Sequence, residues 1–163
     1  MFSACLRALR VKHWVGKGRE LKPIRTSVAA VVRRDGDDVF LAVRRPPDDD
    51  RLPDVWGLPA VTLHEGELPE AGLRRVGREK LGVELEPIRF LGIQSADRGE
   101  YELILMDIEA RVASGDPDVR ASTSAGTRYV DQKWTDRLEI LADAAARGSL
   151  CSQILLDCCG FPY

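Results

Sequence analysis

From Val61 to Val83 the chain reads VTLHEGELPEAGLRRVGREKLGV, and this stretch restricts the fold more than any other. Pro69 suits the first turn of a helix, where its missing N–H leaves nothing unpaired. A run of apolar and charged residues follows, and Gly82 stops it, so the spacing predicts a helix over 69–81. Gly72 and Gly77 fall inside that helix, each costing about 1 kcal/mol relative to alanine. A helix that keeps two such residues is pressed against a neighbour or is locally flexible. Glu67 lies in the loop before the helix, and Glu79 and Lys80 lie near its end.

The flanking segments predict a mixed architecture. Thr26 to Arg34 (TSVAAVVRR) is rich in β-branched residues and reads as a buried strand. Asp35-Gly36-Asp37-Asp38 is a hairpin turn. Val39 to Arg45 returns as a second strand, ended by Pro46 and Pro47, because proline cannot donate to a ladder. Trp56 to Pro59 reads as a short extended segment, and strands follow at 88–93, 101–112 and 129–134. Gly115 to Gly126 reads as a polar loop. Two helical stretches, 138–147 and 149–158, break at Gly148. Strands, a helix, more strands and terminal helices define an α/β domain.

Residues 61–83 resemble the Nudix box. That family's pattern is Gly, five residues, Glu, seven residues, Arg-Glu, an apolar residue, any residue, Glu-Glu, any residue, Gly and an apolar residue. Laid on this chain without a gap, it matches Glu67, Arg75, Glu79, Gly82 and Val83. It departs at Val61 for Gly, Val76 for Glu, Gly77 for the apolar residue and Lys80 for Glu. Trp56-x-Leu58-Pro59 is similar to the family's approach to its box, with Ala60-Val61 where Gly-Gly usually stands, and Trp134 is similar to a common position before the last helix. The likeness spans Thr26 to Gly160. It implies a Nudix-like α/β/α sandwich around a mixed β-sheet.

The family's chemistry explains why the departures matter. A phosphoanhydride is anionic and repels nucleophiles, so divalent cations bridge its oxygens and orient water. Mg²⁺ or Mn²⁺ wants hard oxygen ligands, which carboxylates supply. Residues three and four apart share a helix face, so positions 76, 79 and 80 are expected to point together toward position 67. In the family four glutamates stand at these places. Here the set is Glu67, Val76, Glu79 and Lys80, and its formal charge is −1 instead of −4. Two like charges about 4 Å apart repel by roughly 4 kcal/mol at an intermediate dielectric. A cation and the Lys80 ammonium therefore compete for one place. Losing a positioned general base costs about 10²–10⁴ in rate.

Three readings stay open. One is a weakened Nudix-type hydrolase of a nucleoside diphosphate linked to another moiety. The resemblance then makes Glu67 and Glu79 its catalytic and metal-binding residues. Another is a non-catalytic module binding a nucleotide or phosphorylated ligand, with Lys80 in place of the metal charge. The last is a structural or interaction module in which the box is a packing relic. Arg44 and Arg45 end a strand before the loop that leads into the box, and a guanidinium grips phosphate with two parallel bonds. Both are candidate substrate-binding residues, as are Lys80 and Trp56, a possible stacking surface. Each has a plainer alternative. Glu67 pairs with Arg75, Lys80 is a solvated lysine, the arginines answer Asp48-Asp49-Asp50, and the tryptophan is core.

Composition narrows the partners. At 163 residues the chain holds one domain with a real core, and its net charge of −2 gives no bulk case for nucleic acid or a membrane surface. No apolar run approaches the roughly 20 residues of a membrane span. The expected partner is a nucleotide-like small molecule, with a homodimer possible from the family resemblance. Cys5, Cys151, Cys158 and Cys159 form no CxxC pair, which argues against zinc and for reduced thiols in the cytoplasm. Residues 1–25 carry seven Lys or Arg and one acid, Glu20. They read as a basic N-terminal arm, or alternatively an organelle-targeting peptide, before a domain over 26–163.

Overall fold

A computed structural model describes residues 21–163, so most of the basic arm lies outside the described residues. Strand β1 (Ile24–Arg33) and β2 (Phe40–Arg44) flank the expected turn, in which Gly36 takes a left-handed φ of +82°. The segment after the Asp48–Asp50 run supplies two short strands, β3 (Trp56–Gly57) and β4 (Ala60–Thr62). Helix α1 (Pro69–Arg75) leads into a wider π-helical turn, Val76–Leu81. A long hairpin follows, β5 (Glu84–Asp97) and β6 (Glu102–Ser114), then β7 (Asp131–Thr135). The chain ends in a 3₁₀ turn (Leu138–Leu141), α2 (Ala142–Ala146) and α3 (Leu150–Cys158).

The strands make one mixed sheet. Its order is β3-β2-β1-β6-β5, with β4 on β1 and β7 on β2. β1 and β6 run parallel from Ile24↔Glu102 to Arg33↔Arg111, and the other pairings are antiparallel. β1 is apolar on both sides, as a strand covered on both faces requires. Val28, Ala30 and Val32 pack under the box helix with Leu73, Val76 and Leu81. Ala29 and Val31 face the other way, with Phe40, Leu141, Leu155 and Leu156. Helices on both faces of a mixed sheet are the sandwich the sequence implies.

Two elements differ from expectation. β5 begins at Glu84, not 88, because Leu85 reaches the core while polar neighbours face water. The box helix is not α-helical throughout. From Val76 its turns widen, and the Gly82 N–H bonds to the Gly77 carbonyl five residues back. Gly77 is pressed against the start of β5. A Cβ there would lie 2.6 Å from the Val83 carbonyl oxygen and 2.8 Å from Leu85 Cγ. At Gly72 it would meet Leu63 Cδ2 at 2.2 Å. Close packing, not flexibility, accounts for both residues.

Candidate functional site

A cleft of about 950 Å³ lies beside the box helix. β1 pairs with β2 only through Arg33↔Phe40, and nearer its start it pairs with β4. The cleft is walled from both sides of that divergence, by Ser27, Ala60 and Thr62 on one and by Arg45, Val55 and Gly57 on the other. Its charged lining is one-sided: Arg45, Arg51, Arg75, Lys80, Arg98 and Arg147 against the single carboxylate of Glu79. Such a volume is ample for a small-molecule ligand.

Glu67 is held away from that space. Arg75 Nε and Nη2 donate to its two oxygens at 2.9 and 2.8 Å, a forked charge-assisted pair. The His64 backbone N–H donates to Oε2 at 2.8 Å. Arg75 Nη2 also donates to the Thr62 carbonyl at 2.6 Å, which ties the loop, the helix and β4 together. The Arg75 hydrogen bonds hold the Glu67 carboxyl down at about 2, against the opposing effect of burial. Glu67 is thus a loop staple. Glu79 is freer: its carboxylate accepts from Arg75 Nη1 at 3.4 Å, and it lines the cleft.

Val76 and Lys80 occupy the other two acid positions of the family pattern. Val76 is fully buried under the helix. Lys80 is also buried, at 3% exposure, yet it lines the cleft. Its Nζ donates to the Thr127 carbonyl at 2.6 Å and lies 5.6 Å from the centre of the Tyr129 ring. Burial pushes this amine down to about 8, partly opposed by the Glu79 carboxylate. The polar loop after β6 makes this seat. Thr123 N–H and Ser122 Oγ donate to the Glu79 carbonyl, both at 2.9 Å, and Asp118 N–H donates to Leu81 at 2.9 Å. These bonds satisfy carbonyls that the helix end leaves open. Tyr129 accepts from Ala60 N–H at 3.1 Å, and burial pushes its phenol up to about 12.

A divalent-cation site of the family type does not fit these residues. Glu67 is committed to Arg75, Val76 has no donor atom, and the Lys80 ammonium adjoins Glu79. Among the described residues no group of three or more His, Cys, Asp or Glu is placed to hold a metal ion. Arg44 and Trp56, expected to contact substrate, do not line the cleft. Arg44 pairs with Asp54 at 3.0 Å and Asp131 at 3.7 Å. Trp56 is half-buried against the second core cluster, with the Lys133 ammonium 4.6 Å from its ring. Strand alternation explains the difference between Arg44 and Arg45, which leave β2 on opposite faces. Arg45 does line the cleft, held by Asp49 at 3.2 Å. Arg51, Arg98, Tyr101, Thr127 and Tyr129 carry no local signal of their place in the lining, because they reach it from three regions far apart in the chain.

The NUDIX domain matches residues 23–147, and the chain belongs to the Nudix family. A NUDIX hydrolase from Nitrosomonas europaea superposes with a TM-score of 0.65 at 26% identity, covering 86% of this chain and 93% of the other. The E. coli ORF135 protein gives 0.63 at 19%, covering 83% and 91%. A MutT protein from Methanosarcina mazei Go1 gives 0.60 at 20%, covering 83% and 96%. These two share the fold. No curated protein matches the chain. Nudix hydrolases use divalent cations, which sets this family membership against the donor set just described. No helix among the described residues is long and apolar enough to cross a membrane.

Proposed function

We propose that the cleft binds a nucleotide-like ligand through its phosphates, gripped directly by Lys80 and Arg45 without a bridging metal. The observation that carries this is the Lys80 ammonium, buried in the wall of a cleft whose charged lining is cationic apart from the Glu79 carboxylate. A buried ammonium with one carbonyl acceptor keeps further N–H donors, and a phosphate oxygen answers them. Exposed free thiols at Cys158 and Cys159 suit a reducing compartment such as the cytoplasm.

Glu79 supports a second role, slow Nudix-type hydrolysis of a phosphoanhydride. Its carboxylate would take a proton from water as the water oxygen attacks phosphorus. The bond to the bridging oxygen then breaks, its electron pair leaving with the departing phosphate. Lys80 and Arg45 offset the charge that develops on the phosphoryl oxygens. With Glu67 occupied by Arg75, Glu79 is the only family acid facing the cleft, so turnover is expected to be low.

Calorimetry of ADP against the protein in EDTA tests the binding. Micromolar affinity that Lys80→Met removes is the expected result. Binding that appears only when Mg²⁺ is added refutes it. Release of phosphate or AMP that disappears in Glu79→Gln identifies the base.

A further inference from the structure

Around the β5–β6 turn the cleft carries a second group of cations that phosphate binding at Lys80 does not use. Arg98 sits in the β5–β6 hairpin, whose turn is closed by Arg98 N–H to the Tyr101 carbonyl at 2.9 Å and by Gly99 N–H to Asp97 Oδ1 at 2.8 Å. The Arg98 side chain is pinned from across the cleft, with Nη2 donating to the Gly148 carbonyl at 2.8 Å. Its Nε is buried with no acceptor among the described residues. A charged donor taken out of water and left unanswered is costly, and native proteins rarely keep one without a use.

Tyr101 brings further guanidinium groups to the same corner. The Arg25 Cζ lies 4.1 Å from the ring centre and the Arg51 Cζ 5.3 Å from it. Arg51, Arg98 and Tyr101 all line the cleft. Among the described residues no carboxylate pairs with Arg25, Arg51 or Arg98, whereas Arg45 and Arg147 each have one and Arg75 has two. Like charges gathered on one ring repel, and an anion between them reverses the sign of that interaction. A ring already covered by guanidinium groups is a poor platform for a base. What the corner offers a ligand is N–H donors.

Building on phosphate binding at Lys80, we infer that Arg98 and Arg51 form a second anion subsite, so the preferred ligand carries a further phosphate-like group on the moiety remote from Lys80. The cleft's volume of about 950 Å³ has room for such an extended molecule. Arg98 supplies the fixed contact, because Gly148 and the hairpin hold it. Arg51 supplies a more mobile one, because its side chain is exposed and, among the described residues, rests on the tyrosine ring alone.

The test compares adenosine 3′,5′-bisphosphate with AMP by calorimetry in EDTA. The bisphosphate is expected to bind about tenfold more tightly, the effect of one charge-assisted contact. Arg98→Gln and, separately, Arg51→Gln should each bring that preference close to one. Arg51 is exposed, so its replacement leaves the fold intact if Arg98→Gln does not. A wild type that binds both nucleotides equally overturns the second subsite and leaves phosphate binding at Lys80 standing. A preference that survives in both variants also overturns it. A wild type that binds neither nucleotide overturns both.

Discussion

The Lys80 ammonium and the Thr127 carbonyl are 2.6 Å apart, a bond that ties the end of the box helix to a loop 47 residues later in the chain. It places a positive charge where the family pattern has a carboxylate, and it makes the loop part of the cleft wall. The electrostatic character of the site follows from this pairing.

Anion binding should therefore follow the protonation of Lys80. Burial brings its folded value down to about 8, so the free cleft carries the charge at pH 7 and loses it as pH rises past 8. Affinity for ADP in EDTA should fall between pH 7 and pH 9.5. In Lys80→Met it should be weak and flat over that range. The stability of the unliganded protein moves the other way. Its lysine is depressed from 10.5, so the unfolded chain binds more protons between 8 and 10.5 and stability rises across that window. Calorimetry for binding and urea titrations for stability check the two signs.

Glu67 should behave as a structural residue. Its carboxyl is depressed from 4.5 to about 2, so its contribution is fully present above pH 4.5 and is lost as pH falls through about 2. Glu67→Gln should lower stability by about 1.5–3 kcal/mol at pH 7, the range for hydrogen bonds to charged groups. That deficit should shrink on acidification. Denaturant unfolding at pH 7 and pH 3 measures it, and a deficit that ignores pH would remove the ion pair from the account.

Rebuilding the acid face should trade stability for metal affinity. Val76→Glu with Lys80→Glu puts a carboxylate where a fully buried valine now packs. Burying such a polar group without partners costs several kcal/mol. The double variant should melt lower than wild type, and Mn²⁺ should raise its Tm while leaving wild type unchanged. An equal Mn²⁺ response in both proteins would contradict the donor set described for the site.

Asp107 offers a test away from the phosphate end. Both of its carboxylate oxygens are buried without hydrogen-bond partners among the described residues, and burial raises its folded value well above 3.8. The folded state then holds a proton that the unfolded chain releases, so stability falls as pH rises above 3.8. Asp107→Asn should be the more stable protein at pH 8, by about 1 kcal/mol or more, with the gap closing toward pH 4. Urea midpoints at the two values decide it.

Much of the fold was legible in the residues themselves. The apolar run of β1, the Asp-Gly turn and the Pro69 helix start are local signals, each with a local steric or burial cause. The Glu67–Arg75 pair was also open to reading, as one of two alternatives. The wide turn from Val76 was not, because it depends on Gly77 meeting the Val83 carbonyl just before the next strand. Nor was the fate of Lys80. A lysine on a helix is solvated by default, and only a loop arriving from Ser122 to Thr127 encloses it. Arg51 and the Arg98–Tyr101 turn meet from two segments far apart in the chain, and no spacing in the chain records that meeting. The sequence by itself determined which elements form and which acids are missing, since propensity and side-chain chemistry act over a few residues. The tertiary structure decided which charges are desolvated and which face one another, since burial and Coulomb interactions depend on distances through space.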